Sequence, residues 1–260
     1  MRPKRRVVPQ ELSLGVSPNQ ACGGVRAVGN ACARMRWHRD LELDVTGHDS
    51  KQAHRQHNLM LAAGTYTING YLMPAARHKA ICGERRTCVL TSDGANLGAF
   101  KVPARTSNVT IKGFVVRDFG TPSTWPIGCM QVRDGGLMED NEITGCYVGL
   151  TTESNTITHG NYVHHNRWAG LSGGPATGVL IENNEIAFNN TSHGDIGVDA
   201  SGLKLIGSDG GTHVIFRGNY SHDNYGQGFW CDGNCKGSIV ENNRIENNYG
   251  AGSIGRFPGM

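Results

Sequence analysis

The 260-residue chain has no long hydrophobic run, little net charge and no repeated C-x2-C motif. The absence of any stretch of roughly 18 or more apolar residues argues against a membrane-spanning helix. The absence of paired C-x2-C motifs argues against a structural zinc site. The net charge is +3, and much of the basic excess lies in the first forty residues. The remainder of the chain is close to neutral and has no electrostatic footprint for nucleic acid.

Hydrophobic residues are also scarce, at 38%, whereas glycine is abundant, with 37 residues. Asn-Asn and Gly-Asn pairs accumulate in the second half of the chain. Glycine and asparagine tolerate the left-handed backbone region that tight bends require. This composition therefore favours short strands separated by sharp turns.

An internal repeat begins near residue 108. When its copies are aligned, one asparagine falls at the same position in five of them, and Phe114 takes that position in the first copy: Asn141, Asn161, Asn184, Asn219 and Asn243. The intervals are 20, 23, 35 and 24 residues, so three of the four agree on one turn of a coil. The interval of 35 indicates a coil that carries about a dozen inserted residues.

A second asparagine row follows five positions later, at Asn166, Asn189, Asn224 and Asn248, with Cys146 in the earlier copy. Amide side chains stacked on parallel strands can hydrogen-bond along the column. We therefore expect two asparagine ladders.

Each copy contains three strand-like pieces, of which the third begins at a glycine, as in GLSGG (170–174), GLKLIG (202–207) and GFWCDG (228–233). Apolar residues two positions apart are typical of strands that are buried on one side. A propeller would need about 40 residues per blade, and the leucine spacing of leucine-rich repeats is absent. The sequence predicts an all-β, right-handed parallel β-helix, a solenoid with three short strands per coil.

The motifs IENNEIAFNN (181–190), VENNRIENNYGAG (240–252) and LAAGTYTI (61–68) carry a family resemblance. The chain resembles the right-handed β-helix repeat proteins of the pectate-lyase-like superfamily over roughly residues 60 to 255. That resemblance implies the fold. It leaves the reaction open, because the superfamily includes lyases, hydrolases, epimerases and non-catalytic members.

The ends of the chain differ from the repeat. Residues 1–58 show no alternation and are predicted to be an irregular or disordered leader, whereas residues 59–260 form the β-helix. The chain stops within a coil, at GAGSIGRFPGM, so we expect the C-terminal cap to be missing and the chain to be a fragment. MRPKRR resembles the charged part of an export signal, but no apolar stretch follows it. We nevertheless expect a secreted or cell-surface protein.

The candidate site lies on the outward positions of the third strands. Alternation places Leu171, Leu203 and Phe229 inward, so that their neighbours Ser172, Lys204 and Trp230 point outward from successive coils. Asp232 lies one alternation further along. The inserted segment TSHGDIGVDASG (191–202) leads into the strand of Lys204 and brings three more side chains to this surface, His193, Asp195 and Asp199.

This group predicts carbohydrate chemistry. Trp230 offers an apolar face for a sugar ring, Ser172 and His193 offer polar contacts, and Lys204, with Asp232 beside it, could remove the proton α to a uronate carboxylate if desolvation held it uncharged. Asp195 and Asp199 could bind Ca²⁺. The superfamily's lyases resemble this scheme, with a basic residue and often Ca²⁺. The sequence therefore favours a polysaccharide lyase that acts on a uronate-containing polymer.

Two alternatives stay open. A glycoside hydrolase would use two of Asp195, Asp199 and Asp232 as acid and base, although the paired aspartates of superfamily hydrolases, which lie within one strand motif, are absent here. A non-catalytic β-helix would bind glycan or serve as a structural repeat protein. The sequence gives no indication of oligomeric state.

Cysteine and histidine complete the set of reactive residues. Cys82 and Cys88, like Cys231 and Cys235, are close enough in sequence to close small loops as disulfides. Cys129 and Cys146 fit either a disulfide or two buried thiols. The histidines of the second strands are expected to cap bends or face solvent rather than bind a metal: His164, His165 and His222.

Overall fold

The computed structural model describes residues 58–68, 71–72, 74, 77–92, 98–103, 105–122, 127–207, 213–233 and 235–250, with the backbone of three more strands, Val25–Ala27, Met35–Trp37 and Ser253–Gly255. These residues form short strands joined by tight turns. Strands are numbered β1 to β25 in chain order and belong to three sheets.

The first sheet contains nine strands, in the order β1 (Val25–Ala27), β4 (Gly64–Ile68), β6 (Cys88–Thr91), β9 (Phe114–Arg117), β12 (Glu142–Thr144), β15 (Tyr162–His164), β18 (Glu185–Ala187), β21 (Tyr220–His222) and β24 (Arg244–Glu246). The second sheet contains nine, in the order β2 (Met35–Trp37), β3 (Asn58–Leu61), β5 (Lys79–Cys82), β8 (Thr110–Lys112), β11 (Leu137–Glu139), β14 (Ile157–His159), β17 (Leu180–Glu182), β20 (Ile215–Arg217) and β23 (Ile239–Glu241). The third sheet contains seven, in the order β7 (Phe100–Lys101), β10 (Met130–Gln131), β13 (Val148–Thr152), β16 (Ala169–Gly173), β19 (Ser201–Ile206), β22 (Phe229–Asp232) and β25 (Ser253–Gly255).

Neighbouring strands from β3 onward pair in parallel, so each coil contributes one strand to each sheet and lies directly over the previous coil. Met138 lies beside Ile111 in the second sheet, and Ile143 lies beside Val163 in the first. All four side chains are fully buried. The predicted all-β parallel β-helix, with three strands per coil, is confirmed.

Both asparagine ladders are present. The side-chain oxygen of Asn161 accepts hydrogen bonds from the backbone nitrogen and the Nδ2 of Asn141, both at 3.0 Å. The same arrangement continues from Asn161 to Asn184 and on to Asn243. The second ladder runs from Asn166 through Asn189 and Asn224 to Asn248, and Asn166 also accepts from the backbone of Cys146. These bonds satisfy buried backbone amides at the bends, where no strand partner is available.

The core fills the interior of the coils with branched aliphatic and aromatic side chains. Phe216 and Phe229 come from different sheets, and their rings stack with centroids 4.5 Å apart. Phe100 and Phe114 meet edge to face at 5.3 Å. Each coil packs against the coil before it and the coil after it, so this core is continuous along the axis of the solenoid.

The amino-terminal segment, predicted to be irregular, contains two strands. β1 pairs antiparallel with β4, and β2 pairs antiparallel with β3, so both strands run along the edge of the first complete coil. The other residues of 1–57 lie outside the described residues. So do residues 256–260, where an uncapped end was expected.

Among the cysteines that the structure describes, three disulfides link Cys82 to Cys88, Cys129 to Cys146, and Cys231 to Cys235. The two short loops are closed as the spacing predicted. The bridge between Cys129 and Cys146 decides the alternative that the sequence left open, and it joins the residue before β10 to the turn before β13. Disulfides of this kind are typical of proteins in oxidising compartments outside the cytosol.

Candidate functional site

A polar row lies on the outer face of the third sheet. Its members occupy the same register on successive strands, from Gln131 through Thr151, Ser172 and Lys204 to Trp230. Parallel pairing at about 4.8 Å per strand makes each residue the lateral neighbour of the next. Loops cover much of this face, so Ser172 and Lys204 are buried although they point away from the core.

Lys204 is the centre of the site. Its Nζ lies 2.9 Å from Oδ1 of Asp199 and 3.1 Å from Oδ2 of Asp232. It also donates a hydrogen bond to the carbonyl of Val198 and lies 3.8 Å from the centroid of the Trp230 ring. The ammonium group therefore donates hydrogen bonds to the Val198 carbonyl and to Asp199, and it forms a second ion pair with Asp232.

The inserted segment of the long coil brings Asp199 to Lys204. Nε2 of Gln227 donates to the carbonyl of Ile196 at 3.0 Å, and the ring of His193 stacks on Tyr225 at 4.0 Å. At the start of the insertion, the side chain of Asn190 bonds both the nitrogen and the carbonyl of Gly194. The segment is thus fixed at several points on the neighbouring coils, which holds Asp199 in place.

Exposure distinguishes the three charged side chains. The side chain of Lys204 is 6% exposed, whereas those of Asp199 and Asp232 are 21% and 50% exposed. A molecule that approaches the sheet therefore meets the carboxylates before the ammonium group. Two carboxylates against one ammonium also leave a net negative charge at this point.

Four of the predicted site residues meet here: Lys204, Trp230, Asp232 and Asp199. Three do not. Ser172 is buried beneath the outer surface, the ring of His193 lies on Tyr225, and the side chain of Asp195 accepts a hydrogen bond from the nitrogen of Gly197 at 2.8 Å. One face of the Trp230 ring is covered by Lys204.

Calcium was expected between Asp195 and Asp199. In the structure the two carboxylates have different partners, since Asp199 pairs with Lys204 and Asp195 binds the turn at Gly197. In the described part of the chain, no group of three or more His, Cys, Asp or Glu side chains is arranged to hold a metal ion. The residues present do not fit a calcium site, and no step proposed below uses one.

A second polar group on this face was missed from the sequence. Just beyond the ends of β10 and β13, Nη1 of Arg133 lies 2.7 Å from Oε2 of Glu153, and Nε2 of Gln131 donates to Oε1 of Glu153 at 2.9 Å. Strand alternation places Gln131 and Arg133 on the same outer side of the third sheet, so the sequence pattern could have predicted this group. The ion pair extends the polar surface towards the amino-terminal coils.

Comparisons with known proteins agree with this architecture. Among the described residues, none forms a helix long and apolar enough to cross a membrane.

A search of curated protein sequences gives no significant match. Among solved structures, the catalytic unit of a thermostable GH87 α-1,3-glucanase from Streptomyces thermodiastaticus strain HF3-3 is similar, with a TM-score of 0.51 and 16% identity. The similarity covers 76% of this chain and 36% of the glucanase, so the chain spans about a third of that enzyme's length.

A second structure is the A-module of the mannuronan C-5 epimerase AlgE4 from Azotobacter vinelandii, with a TM-score of 0.32 and 14% identity over 78% of this chain and 90% of that one. At 16% identity, the similarity to the glucanase shows the fold alone. The family profile described as "right handed beta helix region" matches residues 104–254, more than half of the chain. The chain therefore belongs to the right-handed β-helix family.

Proposed function

We propose that this protein is a carbohydrate-active enzyme that hydrolyses a polysaccharide on the outer face of the third sheet, with Asp199 and Asp232 as the reacting pair. The observation that carries the proposal is that both carboxylates bind one buried lysine, Lys204. A disulfide-bonded β-helix protein of this type is expected to work outside the cytosol.

The separation of the two carboxylates suits glycoside hydrolysis. Because both contact the same nitrogen, at 2.9 and 3.1 Å, their two bound oxygens lie within about 6 Å of each other. Carboxyl pairs of glycosidases are separated by about 5–5.5 Å in retaining enzymes and by about 6.5–9.5 Å in inverting ones. One aspartate would take up a proton from solvent and deliver it to the leaving oxygen, while the other stays ionised and attacks the sugar or activates water.

Lys204 acts in this proposal as a positioning residue. It is buried behind the two carboxylates and forms an ion pair with both, so it presents no lone pair to a substrate. Its charge holds together two carboxylates that would otherwise repel each other. The exposed parts of Trp230 and Ile206 flank Asp232 and offer apolar contacts for a sugar ring.

The β-elimination predicted from the sequence is supported less well by this geometry. It requires an unengaged base and a group that neutralises the substrate carboxylate. Here the ammonium is already shared by two aspartates, and the surplus negative charge would repel a uronate. A neutral polysaccharide meets no such repulsion.

Incubation with a panel of neutral and uronate-containing polymers tests the reaction class. Hydrolysis releases reducing ends without new absorbance, whereas β-elimination gives an unsaturated uronate that absorbs near 235 nm. We expect reducing ends from a neutral polymer and no rise in absorbance on any polymer. A rise in absorbance on a uronate polymer would restore the lyase interpretation, and binding without cleavage of any polymer would indicate a non-catalytic glycan-binding protein.

A further inference from the structure

A second cluster of reactive side chains lies on the outer face of the first sheet, away from the aspartate pair. Nδ1 of His164 and Nδ1 of His165 are 2.8 Å apart. His164 ends strand β15, and His165 occupies the turn that follows, with a φ of 50°. The left-handed backbone at His165 turns its ring back towards His164, so that two consecutive residues direct the same ring nitrogen at one point.

Both rings are held in this orientation. His164 stacks on Tyr162, with centroids 3.9 Å apart, and its Nε2 lies 3.5 Å from Oε1 of Glu142 on the preceding coil. His165 stacks on Phe188 of the following coil at 5.0 Å. Nε2 is buried and makes no hydrogen bond, but the nearby carboxylate of Glu142 attracts a proton on Nε2, and this tautomer leaves a lone pair on Nδ1.

The distance between the two nitrogens matches the edge of a metal coordination sphere. Imidazole nitrogens lie about 2.0–2.1 Å from first-row transition metals, so two of them at a right angle are about 2.8–3.0 Å apart, and at a tetrahedral angle about 3.3–3.4 Å. The observed 2.8 Å fits the right angle. Right-angled coordination by nitrogen and oxygen is the geometry preferred by Cu²⁺ and Ni²⁺.

We infer that His164 and His165 form a binding site for a divalent transition metal ion with right-angled coordination, Cu²⁺ or Ni²⁺, and that Glu142 orients His164 behind it. His165 is exposed, so the ion can enter from solvent and complete its coordination with water. In the metal-free protein one Nδ1 donates a hydrogen bond to the other, and the ion would replace that proton.

Metal titration of the full chain tests the inference, with Ni²⁺ followed by calorimetry and Cu²⁺ by electron paramagnetic resonance. The variant His165→Asn tolerates the left-handed turn and removes one ligand, and His164→Gln removes the other. His222→Ala is the matched control. It removes a histidine on the same face whose nitrogens contact Asp223 at 2.7 Å and Glu185 at 3.3 Å rather than a second imidazole.

We expect the wild type to bind one equivalent of Ni²⁺ at this site. His165→Asn and His164→Gln should each bind Ni²⁺ at least about tenfold more weakly than the wild type, and Glu142→Gln should bind it about tenfold more weakly. The Cu²⁺ spectrum of the wild type should show coupling to two nitrogens from this site. The four histidines at positions 38, 48, 54 and 57 remain in every variant, so weak binding there cancels in the comparison. The inference is wrong if His165→Asn, shown to be folded by circular dichroism, binds Ni²⁺ as tightly as the wild type, or if His222→Ala loses the site equally.

Discussion

The side-chain oxygen of Asn184 accepts hydrogen bonds from the backbone nitrogen and the Nδ2 of Asn161, at 2.9 and 3.0 Å, across one coil boundary. The Nδ2 of Asn184 donates in turn to the carbonyl of Thr158 and to the side chain of Asn219. One buried amide group therefore connects three successive coils.

Replacing Asn184 with Ala should destabilise the β-helix strongly. The change leaves the buried backbone amide of Asn161 without its acceptor and removes one hydrogen bond from each of the side chains of Asn161 and Asn219, and such losses cost about 2–4 kcal/mol in total. Denaturant unfolding measures the change. Asn183→Gly is the control, since Asn183 is exposed in a left-handed turn where glycine is tolerated, and it should change stability by less than about 1 kcal/mol. Equal losses for the two variants would contradict the ladder's role.

The ion pair between Lys204 and Asp199 should show strong energetic coupling. Lys204→Met leaves Asp199 and Asp232 facing each other without their cation, and breaking a largely buried pair costs about 2–4 kcal/mol. Asp199→Asn alone leaves Lys204 paired with Asp232. A double-mutant cycle in thermal or denaturant unfolding should give a coupling energy of about 1 kcal/mol or more, and additive effects would show that the two side chains are independent.

Gly194 should be required for the placement of the inserted segment. A Cβ atom at this position would lie 2.3 Å from a ring carbon of Trp168, too close for any side chain. Gly194→Ala should displace the segment that carries Asp199, and we expect cleavage activity to fall by about tenfold or more. Gly174→Ala is the matched control, because nothing lies within 4 Å of a Cβ there. Unchanged activity of Gly194→Ala would show that Asp199 is not held by this contact.

Tyr220 should control the titration of Glu246 on the first sheet. A hydrogen bond from Tyr220 at 2.8 Å, together with Arg244, lowers the pKa of Glu246. A carboxyl group with a lowered folded-state pKa contributes stability above its unfolded pKa, near 4.3, and loses it as the pH falls through the folded value. Tyr220→Phe should therefore raise the pKa of Glu246 in an NMR titration, and its stability deficit should shrink as the pH falls below about 4. An unshifted carboxyl resonance would contradict the assignment.

Periodicity explains which parts of the molecule could be predicted from the sequence. A repeat of about two dozen residues, combined with strand alternation, fixes the lateral neighbours of each side chain, so Lys204, Trp230 and Asp232 were expected together and are found together. The asparagine ladders follow from the same spacing.

The inserted segment has no periodicity, so the sequence could not predict where its side chains lie. It could not distinguish Asp199, which binds Lys204, from Asp195, which binds its own turn at Gly197. The burial of Lys204 also went unpredicted, because the loops that cover it come from outside the repeat. Strands β1 and β2 were missed since their pairing with β4 and β3 is a contact between distant parts of the sequence.

The most direct test of the proposed chemistry is the release of reducing ends from the best neutral polymer by Asp232→Asn, Asp199→Asn and Asp195→Asn. The first two variants remove the pair held by Lys204, and we expect their turnover to fall by about 10²–10⁴-fold. Asp195→Asn changes an equally acidic residue of the same inserted segment and should retain wild-type turnover. Full activity of a folded Asp232→Asn protein would contradict the assignment of this site.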